Sequence, residues 1–179
     1  MRGARAIVSN QGLIRSVHFP RATLPVSTTG MTLIQLGYAL VVLIPIVLLT
    51  GEPLTLRWLG LIPTIVFVTG FSLGMALVFA RLAARVPDVI ALLPFLMRAW
   101  LYFSGVIYNI DVVTKHHPTL QVALNLNPAA TYVELARTSM LSGHPVEGYV
   151  WVSGVVWCVV MLVVGTVYFW AGEESYARG

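Results

Sequence analysis

Arg98 is the one charged residue in the run "VIALLPFLMRAWLYFSGVIY" (Val89–Tyr108). A charge set deep in an apolar layer costs about 2.5–3.5 kcal/mol on insertion scales. The guanidinium must therefore meet something polar. A phosphate or a sugar would do, and so would the carbonyls of a neighbouring helix. Around it stand Trp100, Tyr102, Phe103 and Tyr108, with Tyr132 further on. Aromatic faces can grip the apolar faces of sugar rings without a fixed register. The same rings can equally serve as ordinary packing or as interfacial belts. A second group lies in "SNQGLIRSVHFPRATLPVS" (Ser9–Ser27). Pro20 disfavours helix at Phe19, so a short helix from Asn10 ends by Val17 or His18. Leu13, Ile14 and Val17 then share one face, with Arg15 and Arg21 supplying charge. Such a knob could seat in a groove of a partner protein, or anchor the chain to anionic lipid.

Other chemistries find little support. His116 and His117, with Asp111 and Glu134, have no standard metal-site spacing, so no metal or other cofactor is expected. No Ser/His/Asp arrangement stands out, and the acids Asp88, Glu173 and Glu174 are dispersed. A single cysteine, Cys158, excludes an internal disulfide framework. There is no G-x-x-x-x-G-K-[ST] phosphate loop, so any ATP chemistry belongs to another chain. One lysine among eleven basic residues does not make a nucleic-acid patch.

The elements that must carry these residues are membrane helices. Hydrophobic residues make up 58% of the 179 and charged ones only 10%, far from the roughly one quarter charged of a soluble domain. Four apolar stretches approach the roughly 20 residues that a helix needs to cross the hydrocarbon core. They cover about 27–50, 58–80, 89–108 and 149–170. The runs are continuous, whereas outer-membrane strands alternate over about ten residues. The expected fold is therefore all-α: a polytopic membrane helix bundle of four spanning helices plus a re-entrant outer helical hairpin. Residues 1–26 would form a cytoplasmic loop, and 27–179 the transmembrane domain. "MRGARAIVSNQG" has no apolar core long enough for a signal peptide.

The basic residues orient the bundle. With the N-terminal segment inside, Arg2, Arg5, Arg15, Arg21, Arg81, Arg85 and Arg178 are cytoplasmic, and Arg57, Lys115 and Arg137 are outside. Both termini of this chain are then cytoplasmic. Gly51–Arg57 becomes a tight outer turn and Arg81–Asp88 a tight inner one. In the long outer segment 109–148, Asn127 is expected to cap a helix that starts at Pro128 and stops by Gly143 and Pro145. Thr119–Leu126 could form another short helix before it. Two short helices between two spans point to a re-entrant hairpin that lines something, since irregular backbone at membrane depth needs protein or water around it. Gly70 and Gly74 form a G-x-x-x-G pair fit for a close helix contact, within the subunit or across a dimer.

Three segments together resemble the ABC-2-type polysaccharide exporter permeases, the family that exports O-antigen, teichoic acid or galactan. The first resembles the family pattern N-x-x-L-I/V-[KR]-x-x-x-F-P-[RK]-x-x-L-P, with Asn10, Leu13, Ile14, Arg15, Phe19, Pro20, Arg21, Leu24 and Pro25 in matching positions. The second is "RAWLYFSGVIYNID", where Ser104-Gly105 replaces the family's Ser-Pro. The third is "LNLNPAATYVELARTSML". The resemblance implies a permease rather than an enzyme, working as a homodimer with a separate ABC ATPase subunit. It implies a lipid-linked polysaccharide as substrate and the bacterial cytoplasmic membrane as location. Asn10, Leu13, Ile14, Arg15, Val17, Phe19, Pro20 and Arg21 would couple to the ATPase. Arg98, Trp100, Tyr102, Phe103, Tyr108 and Tyr132 would line the substrate channel. It also implies two further spans ahead of this chain, because the first motif lies between two spans in the family. An ABC-2 multidrug or small-molecule efflux permease, or a non-catalytic four-helix accessory protein, are the alternatives.

Overall fold

The computed structural model describes residues 22–106, 124–144 and 147–172. Every regular element among them is helical. In chain order these are α1 (Thr23–Leu49), a 3-10 turn (Leu56–Gly60), α2 (Leu61–Arg85), α3 (Val89–Phe103), α4 (Pro128–Met140) and α5 (Gly148–Trp170). The expected short helix at Asn10–His18 lies outside the described residues, as does most of Thr119–Leu126.

Three helical stretches are long and apolar enough to cross a membrane: Thr23–Leu49, Leu56–Arg85 and Gly148–Trp170. α1 carries a run of hydroxyls near its start, and its own carbonyls absorb them. Thr28 Oγ1 and Thr29 Oγ1 each donate to the Pro25 carbonyl at 2.9 Å, and Thr32 Oγ1 donates to Thr28 at 2.7 Å. This back-bonding lets a Ser/Thr-rich turn sit in an apolar layer without external partners. Most of the large apolar side chains of α1 are exposed, among them Ile34, Tyr38, Val41 and Leu49. A helix apolar on every side is at home in lipid.

The stretch expected as a third span, 89–108, is shorter than expected. α3 has 15 residues, about 22 Å at 1.5 Å per residue, against a hydrocarbon core of roughly 30 Å. It stops where Gly105 adopts φ 65°, the left-handed conformation that commonly terminates helices. The expected inner turn is also shorter. Arg81 and Arg85 belong to the last turns of α2, where cations complement the helix dipole, and Pro87 ends the run.

The described residues fall into two compact units. One comprises the described parts of Met1–Leu40, Thr69–Pro94 and Cys158–Gly179. Its core is Leu77, Ala80 and Phe169, flanked by Ala22, Leu24, Leu73 and Ala84. Here α2 and α5 pack through small residues. A Cβ on Gly70 would lie 2.5 Å from Cys158 Sγ, and one on Gly74 would strike the Met161 carbonyl. The G-x-x-x-G pair thus makes a contact within the subunit. The other unit comprises the described parts of Val41–Val68 and Phe95–Trp157. There α4 packs against α5 and the start of α2. Gly154 leaves room for Leu135, whose Cδ1 is 2.7 Å from where a Cβ would sit, and Phe67 meets Trp151 edge-on.

Candidate functional site

Asn127 sits at the N-terminus of α4, as its type and the following Pro128 predict. Its Oδ1 accepts from the Ala129 backbone N–H at 3.1 Å, the ordinary work of an N-cap. The same oxygen accepts from Trp100 Nε1 at 2.7 Å, and Nδ2 donates to the Phe103 carbonyl at 3.0 Å. One amide therefore joins the start of α4 to the last turn of α3. Ten residues on, Arg137 Nη2 donates to the Gly105 carbonyl at 3.0 Å. α4 thus holds the end of α3 at two points. Gly105 stands where the family motif has proline, and its positive φ is closed to proline, whose ring locks φ near −65°.

The expected channel residues are not in equivalent places. Arg98, Tyr102 and Phe103 are exposed on α3, and Arg98 has no ion pair or hydrogen bond among the described residues. Trp100 is half-buried, with its indole N–H committed to Asn127. Tyr132 departs from the expectation of a ring offered to substrate. It is 7% exposed, and its hydroxyl donates to the Gly154 carbonyl at 3.1 Å. It lies on the face of α4 that packs against α5, so its aromatic area goes into packing. Tyr108 and the whole coupling set Asn10, Leu13, Ile14, Arg15, Val17, Phe19, Pro20 and Arg21 lie outside the described residues.

A polar cluster ties the turn after α1 to the turn after α4. Ser142 donates to Glu52 Oε2 from both its backbone N–H (3.0 Å) and its hydroxyl (2.6 Å). Arg57 Nη1 donates to the Ser142 carbonyl at 3.2 Å and to the His144 carbonyl at 3.4 Å. Glu134 lies 3.8 Å from Arg137 and 3.5 Å from His144 Nδ1. The two hydrogen bonds from Ser142 hold the Glu52 carboxyl below its ordinary pKa. These bonds join the turn after α1 directly to the turn after α4.

Sequence reasoning missed Arg81. It is 5% exposed, donates to the Tyr168 carbonyl near the end of α5, and lies 4.2 Å over the Tyr168 ring. Its Nε has no hydrogen-bond partner among the described residues. The available signal was position: Arg81 stands one helical turn before Arg85, inside α2 and not beyond it. No group of three or more metal-ligating side chains occurs among the described residues.

Long apolar helices, a short apolar helix with several aromatic residues held at its end by another short helix, and polar turns after α1 and α4 define a multi-pass membrane protein. Residues 6–141 match the family model described as ABC-2 type transporter, and the chain belongs to that family. It is a membrane subunit of an ABC transporter. Among curated proteins it is similar to the polysialic acid transport protein KpsM of Escherichia coli. The two are 27% identical over 177 residues, which is 97% of this chain and 67% of that protein.

Proposed function

We propose that this chain is the permease subunit of an exporter that moves a lipid-linked polysaccharide outward across the bacterial cytoplasmic membrane. A separate ABC ATPase subunit drives it, and the permease works as a homodimer. The observation that carries the reading is the family match over residues 6–141, joined by the similarity of nearly the whole chain to a polysaccharide transport protein. The absence of a phosphate loop from the sequence fits an ATPase on another chain. The Ser9–Ser27 segment is the docking point: its sequence supplies apolar side chains at Leu13, Ile14, Val17 and Phe19 and charge at Arg15 and Arg21. Arg98, Tyr102 and Phe103 stand on the substrate path. α3, at 15 residues, covers most of a third crossing, and α4 belongs to a re-entrant outer hairpin. Both termini of the chain are cytoplasmic.

Co-expression of the permease with its ATPase in a strain that makes the cognate glycan tests this reading. The ATPase should co-purify with the permease and be lost on Leu13→Asp or Ile14→Asp. Surface polysaccharide should disappear on deletion, and lipid-linked glycan should accumulate inside. Arg98→Ala should lower export several-fold at unchanged protein level. A deletion strain with normal surface glycan but lowered drug resistance would replace polysaccharide with a small efflux substrate.

A further inference from the structure

We propose that Asn127 is a positioning residue for export: its side-chain amide sets the rotation of α3, turning Arg98 and Tyr102 outward. This rests on the reading above, in which the exposed face of α3 stands on the substrate path.

The amide is used more fully than a cap requires. Oδ1 accepts from the Ala129 N–H and the Trp100 indole N–H, and Nδ2 donates a hydrogen bond to the Phe103 carbonyl. The first bond organises α4. The other two leave α4 and grip α3, one by a side chain and one by backbone. At 3.6 residues per turn, Arg98 and Tyr102 each lie about 160° from Trp100 around the helix. Tethering Trp100 to Asn127 therefore points the opposite face away from α4. Phe95 and Tyr102 on that face are 70% and 57% exposed, whereas Ser104, at the tethered end, is 3% exposed. The Phe103 carbonyl is one of the last four of α3, which have no partner within the helix. The Nδ2 bond satisfies it and fixes the helix end in the same step.

Capping and positioning can be separated because serine caps a helix about as well as asparagine. Asn127→Ser keeps an acceptor for Ala129 but is too short to hold Trp100 and Phe103. Trp100→Phe keeps an aromatic ring and the cap, and removes the indole N–H together with the smaller of the two fused rings. The test uses the full chain in native membranes with Cys158→Ala, a single cysteine at Ala99 or Ser104, and a lipid-soluble maleimide as the probe.

The parent should label at Ala99→Cys and be protected at Ser104→Cys. Asn127→Ser should raise labelling at Ser104→Cys by about fivefold or more, the factor expected from one lost neutral hydrogen bond. Trp100→Phe should act in the same direction, and the double variant should not exceed Asn127→Ser. Export should fall several-fold in both, at unchanged thermal stability of α4 packing as read by Tyr132 burial. Unchanged protection in Asn127→Ser overturns the positioning role, as does multiplication of the two effects in the double variant. If Asn127→Ser does not accumulate, Trp100→Phe alone decides, and a protected Ser104→Cys there overturns the role. Lost protection with intact export overturns the placement of Arg98 and Tyr102 on the substrate path, and with it that part of the functional reading. Unchanged protection beside an Arg98→Ala export defect overturns the Asn127 role alone.

Discussion

Gly74 of α2 and Gly165 of α5 meet backbone to backbone. A Cβ on Gly165 would lie 2.8 Å from the Gly74 Cα and closer still to its carbonyl oxygen. In lipid, helices gain nothing from hiding apolar surface from water, so close packing of small residues is what joins them. Gly74→Leu should therefore separate α2 from α5. Overpacking of this kind typically costs about 1–3 kcal/mol, and a collision with backbone belongs at the upper end. Thermal unfolding in detergent measures it. Gly37→Ala is the matched control, because a Cβ there meets nothing within 4 Å; it should leave stability unchanged or raise it slightly through helix propensity. Equal melting of Gly74→Leu and the parent would remove this crossing from the account.

Arg81 and Tyr168 should be energetically coupled. The guanidinium lies over the ring and bonds the Tyr168 carbonyl, so lysine cannot replace it: an ammonium has no planar fork to stack and donate at once. Arg81→Lys should melt below the parent. A cycle of Arg81→Lys with Tyr168→Leu should give a coupling of about 0.5–2 kcal/mol for the ring contact. Additive losses would mean that the stack contributes nothing.

Glu52 gives the cluster it forms with Ser142 a pH dependence of known sign. Its folded-state pKa is depressed by the two bonds from Ser142. The stability it contributes is thus present above the ordinary carboxyl pKa and is lost as pH falls through the folded value. The parent should lose melting temperature on acidification through the carboxyl range more steeply than Ser142→Ala. At neutral pH the two should differ modestly, since the carboxyl is open to solvent. Identical acid slopes would show that Glu52 holds nothing.

The Glu52–Ser142 bonds also make topology testable. Cysteines at Leu54 and Ser142 should react with a membrane-impermeant maleimide from the same side of the membrane, and one at Asp88 only from the other. The charge count places the first pair outside. Labelling of Asp88→Cys in intact cells would invert the orientation, and labelling of Leu54→Cys and Ser142→Cys from opposite sides would break the cluster itself.

The sequence by itself determined the three long apolar helices and the α4 cap. Runs of apolar residues long enough to cross a bilayer, and Asn127 ahead of Pro128, are local signals: each needs only its own segment to be read. α5 begins one residue from its expected start and α4 begins where the cap predicts. What lay beyond local reading was which groups meet across the chain. Gly74 announces a close contact but not that Gly165 supplies it. Arg81 looks like one more inner-loop base until the end of α5 folds over it. Tyr132 and Tyr102 are the same residue type, yet one is packed against α5 and the other exposed on α3. Asn127 is read correctly as a cap, while its hold on Trp100 and Phe103 depends on α3 ending beside it. Only tertiary structure decides such pairings, because apolar periodicity fixes where a helix is and leaves open which neighbour each of its faces will touch.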